Sequence, residues 1–74
     1  MIDQEILEQF ISAKISLKEQ LEDVGKIPGS TEIKTQMMFL ETRVVANIRQ
    51  DMVNGCKEMI ALRNILSEIL KEID

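Results

Sequence analysis

Eleven positions between Met38 and Ile73 repeat in a 3-4 rhythm and constrain this chain more than any other feature. Met38, Val45, Met52, Met59, Leu66 and Ile73 fall seven residues apart, and Glu41, Ile48, Gly55, Leu62 and Ile69 stand three residues after the first five. Nine of the eleven are apolar. That spacing draws one continuous stripe along a helix and is the pattern of helices that pack lengthwise on one another. The chain is therefore expected to be all-α, with the stripe buried against its own helices or against a partner.

One segment interrupts the helical periodicity. Gly25-Lys26-Ile27-Pro28-Gly29-Ser30 holds the only proline and two of the three glycines, and reads as a turn between helices. Before it, Ile2, Ile6, Phe10, Ala13, Leu17, Leu21 and Val24 recur at steps of 4-4-3-4-4-3, which predicts an amphipathic helix over about 3–24. Asp3 can cap its first amides, and Gly25 can close it in the left-handed conformation. After the turn, Ser30 or Thr31 can cap a second helix with Glu32 in its first turn. The apolar phase crosses Asn54-Gly55 without slipping, which favours one helix over about 31–73. The expected fold is a helical hairpin with a short first helix, a turn at 25–30 and a long second helix. The alternative is a three-helix bundle broken at Asn54-Gly55, since Asn-Gly is good helix-ending chemistry.

In the hairpin, a second helix about 64 Å long outruns a first helix about 33 Å long. Its C-terminal half then lacks cover, and each large apolar side chain there is worth about 1.5–3 kcal/mol when fully buried. Met52, Met59, Leu62, Ile65, Leu66, Ile69, Leu70 and Ile73 are accordingly the expected partner-binding residues, and self-association is expected of the isolated chain. Met37, Val44, Ile65 and Leu70 widen the stripe beyond a strict two-stranded seam, so bundle packing is implied. Met37, Met38, Met52 and Met59 suit either gap-filling in a core or an adaptable docking surface. Gly55 on the seam is read as a close helix approach or a mild bend, and Cys56 as a small buried hydrophobe.

Composition limits the function classes. Seventy-four residues form one small domain, a size at which a single core supplies only about 3–5 kcal/mol. The net charge is −4, with no basic cluster, no His, no Trp and no Tyr, so phosphate tracking and base stacking lack their usual residues. No apolar run approaches the roughly 18–20 residues of a membrane span. Met1-Ile2-Asp3-Gln4-Glu5 lacks a signal-peptide start, and a lone Cys fits a reducing compartment, so a cytoplasmic location is expected. Glu5/Glu8 and Glu19/Glu22 are carboxylate pairs three apart, but without His they read as a solvated acidic face. No metal site, cofactor or enzymatic activity is expected. Residues 1–25 carry six acids and two bases, an acidic surface suited to a basic partner.

The acidic first helix, the turn Ile27-Pro28-Gly29-Ser30 and the opening Glu32-Ile33-Lys34-Thr35-Gln36-Met37-Met38-Phe39-Leu40-Glu41 resemble the small co-chaperones of type III secretion needle subunits. The resemblance covers most of the chain and rests on length and pattern. It implies a helical hairpin that joins a larger helical-repeat chaperone in the bacterial cytosol and keeps an aggregation-prone needle subunit monomeric. Needle subunits, also short hairpins with a proline-containing turn, are similar too. The expected function is a non-enzymatic co-chaperone or adaptor that binds partner helices. A self-assembling structural subunit and a small regulator docking on another protein are the alternatives.

Overall fold

Helix α1 (Gln4–Gly25) forms along the stripe that the 4-4-3 spacing draws, and buries Ala13, Leu17, Leu21 and Val24. The structure, a computed structural model, describes residues 3–73, with the backbone alone at Ile73; Ile2, the first member of the stripe, lies outside that range. Asp3 caps α1 as expected, its carboxylate accepting a hydrogen bond of 2.9 Å from the Glu5 amide.

The first turn is built differently from the sequence expectation at both ends. Gly25 is the last residue of α1, and the left-handed residue is Gly29, with φ of 81°. Pro28 and Gly29 occupy the two central positions of a turn closed by a 3.3 Å bond from the Ser30 amide to the Ile27 carbonyl. Proline followed by a positive-φ glycine is the requirement of a type II turn. Ser30 precedes helix α2 (Thr31–Ile48) but makes no side-chain cap to it. It is buried, and its hydroxyl points back to the Val24 carbonyl and to the Ile27 carbonyl at 2.6 Å. The serine thus adds a second donor to the Val24 carbonyl at the end of α1, which also accepts from the Ile27 amide at 3.0 Å, and ties that helix end to the turn.

The long second helix does not form. The chain ends α2 at Ile48 and begins helix α3 at Met52, running to Ile73, so the described residues make three helices and not a hairpin. The break falls at residues 49–51, not at Asn54-Gly55. Its cause is Asp51: one carboxylate oxygen accepts from the Asn54 amide at 3.2 Å and the other from the Asn54 side-chain amide at 2.6 Å. Both bonds run one way, from Asn54 to the carboxylate of the residue that caps α3, so Asp51 serves as the N-cap. The link stays nearly helical, with the amides of Gln50 and Asp51 both donating to the Asn47 carbonyl at 2.9 Å. The apolar phase therefore passes through a reversal of the chain without slipping.

The helices run up, down and up in an elongated body of 44 × 19 × 15 Å. Helix α3 packs against both others, while α1 and α2 touch each other least. The core joins Ala13, Leu17, Leu21 and Val24 of α1 to Met37 and Val44 of α2 and Met59, Leu62 and Leu66 of α3. Phe10, Ile33, Val45, Ile60, Ile69 and Leu70 pack around it. Gly55 lies in the first turn of α3, close against Ile48, the last residue of α2. A Cβ there would stand 2.3 Å from Ile48 Cγ1 and 3.0 Å from Ile48 Cα. The close-approach reading of this glycine is the one the packing supports.

Candidate functional site

The residues expected to bind a partner are placed mainly in the chain's own core. Met59 and Leu66 are fully buried and Leu62 nearly so, all three in the cluster that α1 closes. Ile69 and Leu70 pack against that cluster, and Met52 is half-buried at the start of α3. Ile65 alone of the set stands exposed, at 53%; the Ile73 side chain lies outside the described residues. The premise that this surface lacks cover within the chain is overturned, because the turn at 49–51 folds α3 back along α1. Met59, Leu62 and Leu66 are not free to meet a partner in this conformation.

Among the described residues, the longest run of exposed large apolar side chains lies on the outer side of α2. Only Met37 and Val44 of this helix are buried. Successive helical residues are set about 100° apart, so with Met37 facing inward, Met38, Phe39 and Leu40 sweep around the outside. Phe39 is 70% exposed, the most exposed large apolar residue of the described chain, and Met38 and Leu40 are exposed beside it. Thr35 and Thr42 flank them, but their hydroxyls donate back to the Thr31 and Met38 carbonyls at 2.9 Å. Hydroxyls engaged by their own backbone leave the surface less polar than its composition suggests. The sequence contained the signal: the heptad seam has its one charged member, Glu41, in this helix. The buried face lies one residue earlier, on Met37 and Val44, so Met38 is turned outward.

Between α1 and α2, Met38 meets α1 across a groove of about 350 Å³ lined by Lys14, Ile15, Lys18, Leu21, Glu22, Lys34, Met38 and Glu41. Leu21 forms part of the apolar floor, with Ile15 and Met38 exposed beside it. Among the described residues the ion pairs are Lys26–Asp23 at 3.7 Å and Lys71–Glu68 at 3.4 Å, both exposed, so none of the three groove lysines is paired. Lys34 also reaches the C-terminal end of α1, where its Nζ lies 2.9 Å from the position a Cβ on Gly25 would take. A cation there complements the negative end of the helix, which has no basic residue in its own last turn.

Among the described residues no group of three His, Cys, Asp or Glu side chains is placed to hold a metal. Glu5 and Glu8 line an open depression with Gln9, Ser12, Ile60 and Arg63. Cys56 is buried, and desolvation pushes its thiol pKa above the ordinary value. No helix among the described residues is long and apolar enough to cross a membrane. Over the described residues, fold and surface define a small three-helix bundle whose second helix exposes the run Met38-Phe39-Leu40. No family model matches the chain, and no curated protein or solved structure is significantly similar to it.

Proposed function

We propose that this chain is a non-enzymatic interaction protein, a co-chaperone or adaptor that covers an apolar helix of a partner with the face formed by α1 and α2. The observation that carries the reading is the exposed run Met38-Phe39-Leu40 beside Ile15, on a helix whose other side is closed by the chain's own core. Such a run presents apolar area that water disfavours, and a helix laid along it is a recurrent mode of recognition. The acidic first helix and the Pro-Gly turn support the more specific form of the proposal, a co-chaperone of bacterial type III secretion acting in the cytoplasm. The third helix departs from the hairpins of that family.

The test is affinity capture from the native cell with wild-type and Phe39→Asp baits, both checked by circular dichroism. A partner retained by the first and lost by the second supports the reading, and a partner retained equally by both refutes it. The second reading, self-assembly, is favoured by exposed large hydrophobics on all three helices: Ile11 and Ile15, then Met38, Phe39 and Leu40, then Val53 and Ile65. Sedimentation equilibrium separates the two. A multimer of the pure protein that Phe39→Asp returns to monomer favours assembly over adaptor function.

A further inference from the structure

We infer that the groove between α1 and α2 takes an amphipathic helix of a partner protein whose apolar face is flanked by carboxylates. The inference rests on the docking face just proposed and adds the chemistry of its occupant. Two features of the groove determine it. The first is shape: an apolar floor between two antiparallel helices that touch each other only sparingly is a seat for a further bundle helix. From Lys14 to Glu22 the α1 wall extends about 12 Å, and exposed Ile11 prolongs it to about 16 Å, matching roughly three turns of the incoming helix.

The second feature is charge. Lys14 and Lys18 stand one turn apart on the α1 rim, Lys34 stands on the α2 rim, and Glu22 and Glu41 are the carboxylates of the same lining. The chain as a whole is acidic, with net charge −4, yet this lining carries three positive charges against two negative. None of the three ammonium groups has a carboxylate within 4.0 Å among the described residues. Long lysine stems can lie along the apolar floor while the charged ends meet an acidic flank. A basic-flanked helix would instead bring like charges together, which costs affinity and selects against it. An exposed ion pair changes affinity by between about 1.4-fold and 5-fold, so three together give on the order of tenfold.

The experiment uses the full chain and three fluorescent peptides of about 18 residues, long enough to become helical on binding. The peptides share one leucine face and differ only in its flanks, which are Glu, Gln or Lys. In low salt the Glu peptide is expected to bind about tenfold more tightly than the Gln peptide, with the Lys peptide weakest. Salt should reduce the difference between Glu and Gln. The double variant Lys14→Glu, Lys18→Glu changes exposed side chains and should keep its melting temperature while inverting the order. The Met38→Asp variant should weaken all three peptides. Equal binding of Glu and Gln peptides, or an order unchanged by the double variant, overturns the acidic assignment and leaves the docking face standing. Absence of saturable binding by any peptide overturns both. Covering of the groove by a second copy, seen as a dimer that Ile15→Asp dissociates, also overturns the inference.

Discussion

Replacing Gly55 with alanine decides between a helix that merely contains a glycine and a crossing that requires one. In an unobstructed helix the change is favourable by about 1 kcal/mol, because glycine sacrifices more backbone freedom on folding. Here the new Cβ would lie 2.3 Å from Ile48 Cγ1, 3.0 Å from Ile48 Cα and 3.2 Å from Ile48 N. Carbon atoms in contact rest at about 3.5–4.0 Å. Turning the Ile48 side chain relieves only the first of the three contacts, so the backbones of α2 and α3 must also separate by about half an ångström. Overpacking of this kind costs about 1–3 kcal/mol, and because backbone atoms are involved we take the upper part of that range. After the gain in helix propensity, the net loss is about 1–2 kcal/mol. In a domain of this size that lowers the melting temperature by roughly 4–15 °C. Thermal melts followed by circular dichroism measure it directly. The Ile48→Ala background provides a second reading: with Cγ1 gone, Gly55→Ala should cost less than it does in the wild type. A higher melting temperature for Gly55→Ala in the wild-type background would refute the crossing geometry and restore the uninterrupted helix.

Asp51→Ala removes the cap that starts α3 and should destabilise the bundle by about 0.5–2 kcal/mol in urea titrations, with Asp51→Asn recovering most of the loss. Gly29→Ala forces an L residue into a φ of 81° and should cost about 1–2 kcal/mol by the same measurement. A charge at Leu66 should unfold the chain, whereas Phe39→Asp should alter stability by no more than about 0.5 kcal/mol; circular dichroism distinguishes a core position from a docking position. Because burial raises the Cys56 thiol above its ordinary 9.0, the folded chain holds a proton that the unfolded chain releases as pH rises past that value. Stability should therefore fall above about pH 9, and Cys56→Ala should remove that part of the slope in urea titrations taken across this pH range.

The first helix was legible because its signals agree: Asp3, the 4-4-3 spacing and the Pro-Gly turn all point to the same boundaries. The second half was misleading for a physical reason. A break made by Gln50 and Asp51, neither of them Gly or Pro, keeps helical hydrogen bonding to Asn47 and so preserves the heptad count. Asn54-Gly55, which looks like punctuation, serves the opposite purpose: Asn54 completes the cap of α3 and Gly55 allows α2 to approach. The pairing Asp51-Met52-Val53-Asn54 was the available signal, an acid and an amide at capping distance. The candidate site followed the same error. Met59, Leu62 and Leu66 seemed to lack cover only while α3 was imagined beyond the end of α1. Glu41, a charge on an otherwise apolar seam, marked where α2 presents a different face.

Helix α3 supplies the surface on which both other helices settle, and it is the last of the three to be synthesised. Helices α1 and α2 meet only sparingly by themselves. A growing chain that has released α1 and α2 but not α3 would therefore hold Leu17, Leu21, Met37 and Val44 without their main neighbours. Consolidation must wait until the 22 residues of α3 have left the ribosome, so the core closes in one late step and not progressively as α1 and α2 are made. A termination or cleavage event within α3 would leave a sticky remnant, not a smaller working version, and the cell's proteases would meet it as an unfolded chain.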